Sequence, residues 1–301
     1  MSSTATVSTT SHVSETLGVI RSPPAIGQKH AAVYAPLQTM GHNNVAPPEI
    51  PKFDDFPSQR KWQLEHLAAA FRVFGRHGYA EGIAGHISVR DPEHKDRFWI
   101  NPLAVHFSML KVSDMICLDM SGNVVGGNTG DIQSLPANAA GVSIHAACHL
   151  ARPDAHAICH AHSRHGKAWA SFGQPLDMLN QDVCYFHNSH SVYDNYAGIA
   201  FAADEGRNIA SALGNGRASI LVNHGLVTVG GTVDEAAYLF QLLERSCEIQ
   251  LMVEAAGLPK RHIPEAEAAE IYRVAGDPEC LYVEFQPMYK LEEYLDPTFK
   301  Q

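Results

Sequence analysis

The chain has no apolar run of 18 residues, the length at which a hydrophobic stretch begins to read as a membrane span. It also has no Cys-x-x-Cys. Its six cysteines (Cys117, Cys148, Cys159, Cys184, Cys247 and Cys280) are scattered, which argues against a disulfide framework and for thiols in a reducing compartment. Basic charge is scarce: 22 Lys and Arg stand against 32 Asp and Glu, a net charge of -10. Such a surface repels phosphate backbones, so nucleic acid is not an expected partner. From Met1 to Ser14 there is no Lys, Arg, Asp or Glu, and no charged n-region precedes an apolar h-region, which excludes a secretory signal. Arg21 is the only arginine before Arg60, too few for a mitochondrial presequence. What the chain has in excess is histidine, 18 in 301 residues. Histidine is the commonest protein ligand for transition metals, so composition alone raises the metal question.

The remaining composition, 45% hydrophobic and 18% charged, is that of a globular protein. Residues 1–55 are Ser/Thr- and Pro-rich with little apolar periodicity, and read as a disordered or subunit-wrapping tail on a cytoplasmic protein. Residues 56–260 form the expected catalytic domain and 261–301 a C-terminal extension with a short acidic helix and an aromatic tail. Ser58 is the expected cap of a first helix running to about His77. Short apolar runs bounded by turn residues then read as strands: Gly85 to Val89, Phe98 to Ile100, Met115 to Leu118 and Val124-Val125. Helices follow from Asn138 to Ala151 and from Asp204 to Leu213, and strands from Ala157 to His162, Ser219 to Asn223 and Leu226 to Val229. Thr232-Val233-Asp234-Glu235 fits a capping box and opens a long helix closed by Gly257. Helices interleave with hairpin-linked strands, which favours a mixed or antiparallel sheet covered by helices.

The chemistry concentrates at His160-Ala161-His162. Residues two apart on a strand face the same side, so both imidazoles can converge on one ion. His224 follows a buried strand and precedes Gly225, well placed to complete such a site. Three histidines describe a catalytic metal site, since a structural zinc is closed by four ligands that usually include Cys. Cys159 points to the opposite strand face and is assigned to the core.

Gly85-His86-Ile87-Ser88, Asp119 to Val125, Arg152-Pro153-Asp154, His160-Ala161-His162-Ser163-Arg164-His165 and Asn223-His224-Gly225 occur together in a fixed order. In order and spacing they resemble the class II aldolase/adducin family, over about Ser58 to Gly257. The resemblance implies a three-layer α/β/α sandwich around a central, mainly antiparallel sheet. It further implies a homotetramer and one divalent ion held by His160, His162 and His224, zinc first, with manganese or iron as the other choices. The departures from the family pattern bear on substrate. Where phosphosugar members carry Pro-Ser-Ser and then an acid, this chain reads Asn138-Ala139-Ala140-Gly141. His86 stands in the phosphate loop, and Asn101-Pro102-Leu103-Ala104 replaces a Thr-Pro-x-Gly loop. Lost hydroxyls and a lost carboxylate point to a non-phosphorylated keto or aromatic acid as the small-molecule substrate, with His86, Asn101 and Asn138 as substrate-binding candidates. His145, His165 and Tyr193 are the candidates for the missing acid/base, with His149, His187, His190 and the C-terminal tyrosines behind them.

Three functions follow in order. The first is a metal-dependent lyase performing aldol or retro-aldol cleavage or decarboxylation. The second is a non-haem Fe(II) oxygenase using the same three histidines. The last is an adducin-like binding module without catalysis.

Overall fold

The computed structural model describes residues 36–128, 136–195 and 203–301. Most of the expected tail, 1–35, lies outside them. The rest of that segment carries one α-helical turn, α1 (Pro36–Thr39), with Leu37 buried, and a 3-10 turn at His42–Asn44, and Ile50 N–H donates to Glu279 Oε2 at 2.7 Å.

The elements that follow are α2 (Phe56–Arg76), β1 (His86–Arg90), β2 (Arg97–Ile100), β3 (Ile116–Asp119), β4 (Val124–Gly127) and α3 (Ala139–Ala151). Then come β5 (Ala157–Ala161), α4 (Arg164–Ala170), β6 (His190–Tyr193), α5 (Ala203–Leu213), β7 (Ala218–Leu221) and β8 (Gly225–Gly230). Three helices close the chain: α6 (Val233–Ala256), α7 (Glu265–Ala275) and α8 (Pro278–Leu295). The strands form one 8-stranded sheet in the order β4-β3-β2-β1-β5-β8-β7-β6, antiparallel except for the β6–β7 pair.

Strand alternation sorts the core into two layers. Ile87, Val89, Ala157, Cys159, Ala161 and Ile220 face a cluster built with Leu67, Phe71 and Phe74 of α2, Leu239 and Phe240 of α6, and Leu281 and Phe285 of α8. Ile158, Leu221, Val227 and Val229 face the other side, against Ile144 and Cys148 of α3 and Ile209 and Leu213 of α5. The fold is therefore the expected α/β/α sandwich. Cys159 sits in the core layer as its parity requires. The 261–301 segment feeds Leu281, Phe285 and Phe299 into the same cluster as the central helices.

Four local expectations change. The cap of α2 is Asp55, whose carboxylate accepts from Ser58 N–H at 2.7 Å and from the Ser58 hydroxyl. Ser58 is thus a donor inside the first turn, with Pro57 favouring helix start. Strand β6 is not among the expected strands, because its pairing with β7 is parallel and leaves no local turn signal. The aromatic tail is the helix α8, which continues past Pro287 because Leu281, Tyr282 and Phe285 are buried one turn earlier. The apolar run expected as a strand to Asn223 stops pairing at Leu221, and Val222 to His224 form the turn into β8.

Candidate metal centre

The antiparallel register of β5 between β1 and β8 brings the histidines together. His86 at the start of β1 pairs with His160 near the end of β5, and Val227 of β8 lies opposite on the other side. The β7–β8 turn then delivers His224. Asn223 takes a left-handed φ of 57°, which asparagine tolerates better than most residues, and Gly225 lies against β5, where a Cβ would sit 2.6 Å from Ala161 O. His160, His162 and His224 each offer a ring nitrogen, and these atoms lie within 4.8 Å of one another.

Burial sets their protonation. His160 is fully buried and held well below the ordinary imidazole value by desolvation and by the neighbouring histidines. His224 falls to about 4, and His162 is lowered by burial and then by Lys167, with Glu81 opposing. Neutral imidazole is the form that ligates metal. His160 Nδ1–H donates to Leu226 O at 3.0 Å, which fixes the tautomer and leaves Nε2 with its lone pair toward the cluster. A Zn²⁺, Mn²⁺ or Fe²⁺ ion fits this donor set. No cysteine or carboxylate joins the three imidazoles among the described residues, as expected for a site that keeps positions for substrate.

The other candidates are placed differently. His86 is 4% exposed, with its ring stacked on His160 at 5.6 Å and edge-on to His145 at 5.6 Å, and neither of its nitrogens has a protein partner. It packs over Gly141 of α3, where a Cβ would meet three His86 ring atoms at 2.6, 2.7 and 2.7 Å. The missing acid at 141 and the histidine at 86 are thus one coupled feature, since a side chain at 141 and this ring position exclude each other. His145 is fully buried. The Ser88 hydroxyl lies 2.6 Å from His145 Nδ1 and 2.9 Å from His149 Nε2, while His149 Nδ1 lies 3.2 Å from Ala155 O. Only a protonated His149 Nδ1 can bond that carbonyl, so Nε2 accepts the Ser88 proton and Ser88 accepts from His145 Nδ1–H. The His145 Nε2 lone pair is then buried without a partner.

His165 leaves the cluster. Past β5 the chain turns into α4, and His165 faces α6, with Nδ1 3.0 Å from Glu244 Oε1 and Nε2 3.6 Å from Glu248. Tyr193 is buried at the end of β6, donates to Glu205 Oε2 at 2.9 Å, and is pushed up by burial and that carboxylate. Asn101 is buried, its amide nitrogen 3.3 Å from Pro102 O and its Oδ1 unpartnered. Asn138 caps α3: Oδ1 accepts from Ala140 N–H and Gly141 N–H at 3.0 and 3.2 Å, and Nδ2 donates to Ile83 O. His187 pairs with Glu265 and His190 with Phe186 O, while Tyr282 is buried, Tyr289 stacks on His66 and Tyr294 is exposed. Sequence reasoning missed the ion pair of Glu81 with Lys167, which acts electrostatically on His162. Glu81 lies in a loop far along the chain from the ligands, and no spacing signal connects them.

Comparisons with known proteins agree with this architecture. Residues 65–251 match the class II aldolase and adducin N-terminal domain. Decarboxylase NovR of Streptomyces niveus is 40% identical over 82% of this chain and 90% of its own. The 4-hydroxy-3-prenylphenylpyruvate oxygenase/4-hydroxy-3-prenylbenzoate synthase of Streptomyces roseochromogenus subsp. oscitans is 42% identical over 75% of this chain and 78% of its own. The solved L-fuculose 1-phosphate aldolase from Glaciozyma antarctica PI12 superposes with a TM-score of 0.77 at 38% identity, covering 84% of this chain and 97% of that one. The chain belongs to the class II aldolase/adducin family.

Proposed function

We propose that the chain is a divalent-metal-dependent lyase that decarboxylates, or cleaves a C–C bond of, a non-phosphorylated aromatic or keto acid. The observation that carries the reading is the cluster of three neutral imidazoles, His160, His162 and His224. When bound there, a divalent ion supplies Lewis-acid stabilisation of the charge left by C–C cleavage. The chain's own part is to hold those rings, to orient His160 through Leu226 O, and to keep water from the buried His86–His145–Ser88 side. The similarity to a protein named a decarboxylase supports the lyase.

The N-terminus of α3 argues against a phosphate. A helix start is a ready anion site, yet here Asn138 Oδ1 already takes two of its N–H groups and Ala139 and Ala140 bring no hydroxyl. The opposing observation is the structural similarity to a protein titled an L-fuculose 1-phosphate aldolase. The second reading, an Fe(II) oxygenase on the same site, is favoured by the relative named an oxygenase. The reading extends to a homotetramer, as the family resemblance implies. Its extension to a cytoplasmic, reducing compartment is supported by six buried, unbridged cysteines.

The test reconstitutes the protein separately with Zn²⁺, Mn²⁺ and Fe²⁺. It then follows CO₂ release and O₂ uptake with aromatic keto acids and aldol cleavage of fuculose 1-phosphate. CO₂ or aldehyde release without O₂ uptake is expected. O₂ uptake with iron alone selects the oxygenase, and efficient phosphosugar cleavage overturns the substrate reading.

A further inference from the structure

Glu244 lies on α6 and is 4% exposed. Its two oxygens meet four donor groups. Oε2 accepts the Ser163 hydroxyl at 2.5 Å and Gly166 N–H at 2.6 Å, and Oε1 accepts His165 N–H at 2.9 Å with His165 Nδ1 at 3.0 Å. These donors begin one residue after His162. Ser163 is the N-cap of α4 but makes no capping bond of its own, so the orphan N–H groups of that first turn are satisfied from another helix. Gly166 permits the close approach, since a Cβ there would sit 2.5 Å from Leu226 Cδ1 and 2.7 Å from Ser163 Oγ. A buried carboxylate is costly unless its donors are aimed at it, and here they are.

The two histidines of His160-Ala161-His162 are supported unequally. His160 is fixed by its register with His86 and Val227 and by the Leu226 carbonyl. His162 lies beyond the last paired residue of β5, Ala161, so no strand neighbour sets its direction. The next anchored atoms along the chain are those bound to Glu244.

We propose that Glu244 is a positioning residue of the three-histidine centre, fixing through Ser163, His165 and Gly166 the backbone that aims the His162 ring. The inference rests on reading His160, His162 and His224 as ligands.

The experiment titrates metal-stripped full-length protein with Zn²⁺ against a chromophoric chelator and records the visible spectrum of the Co²⁺ form. Wild type is compared with Glu244→Gln and with Asp91→Asn. Asp91 is a matched control: a buried carboxylate at the far end of β1 that accepts from Arg60, Trp99 and the Glu93 and His94 N–H groups. Glu244→Gln should bind Zn²⁺ about 10-fold or more weakly, as other supporting residues of metal ligands do, and change the Co²⁺ bands. Asp91→Asn should lose thermal stability with both readouts unchanged. A Glu244→Gln protein that loses stability but keeps wild-type zinc affinity and cobalt spectrum would overturn the proposal, leaving Glu244 a helix cap. If that variant does not fold, Ser163→Ala removes one donor and should weaken zinc in the same direction; unchanged affinity there also overturns it. Wild type binding neither ion overturns the metal reading, and this inference with it.

Discussion

Gly141→Ala is a substitution whose sign the structure decides against the usual rule. In a helix interior, replacing glycine by alanine ordinarily stabilises by about 1 kcal/mol, because glycine has more backbone freedom to lose. Gly141 is the third residue of α3, in its first turn, so a gain of at most that size applies. The new Cβ, however, would sit 2.6–2.7 Å from Cγ, Cδ2 and Cε1 of His86. That ring cannot retreat freely, since it stacks on His160 and meets His145 edge-on, both of them buried. Overpacking of this kind costs about 1–3 kcal/mol, so the net effect should be a loss of about 1 kcal/mol. The assay is urea denaturation of the metal-free protein, read as a shift in midpoint at constant slope. In a His86→Ala background the clash is gone, and the same Gly141→Ala change should stabilise by up to about 1 kcal/mol. A Gly141→Ala protein at least as stable as wild type would refute the packing of His86 on Gly141. The claim that a ring at 86 excludes a side chain at 141 would go with it.

Acid should weaken the fold through buried histidines before ordinary exposed carboxylates titrate. Burial lowers His86 and His149 to about 3, whereas in the unfolded chain each takes its proton near 6.5. Between those values the unfolded state binds more protons, so stability falls as pH drops, by about 1 kcal/mol per pH unit for each group. The urea midpoint of metal-free protein should be level above about pH 6.5 and decline to pH 5; a level midpoint across that window contradicts the buried neutral histidines. Asn138→Ala should cost about 1 kcal/mol of thermal stability through its lost cap, and Asn138→Asp should restore most of it. A chain beginning at Pro51 loses the Leu37 contact and the Ile50–Glu279 bond, an expected loss of about 1–3 kcal/mol, with metal stoichiometry unchanged. Loss of the metal in that truncation would make the 36–50 segment part of the site.

The legible parts of this chain were those written locally. Strand alternation placed Cys159 in one layer and His160 in the other, and Thr232 caps α6 through Glu235 N–H as its motif indicates. Even there the pairing shifts by one, for Glu235 reaches back to Gly231 N–H rather than to Thr232. What escaped was written in tertiary contacts. Pro287 reads as a breaker, yet burial of Leu281 and Phe285 carries α8 through it. His165 looked like a neighbour of His162, but the change from strand to helix at Ser163 rotates it toward Glu244. Asn138 is a substrate-binding candidate by its place in the motif, and the contact its amide makes in capping α3 is set by the fold.

The central claim is that His160, His162 and His224 hold one divalent ion, and elemental analysis of protein purified without added metal tests it most directly. The account predicts about one transition-metal ion per wild-type chain. It also predicts loss of most of that metal in His160→Ala, His162→Ala and His224→Ala, each still folded by circular dichroism. Stoichiometric metal retained by His224→Ala, or a metal-free wild type that turns over substrate, would contradict it.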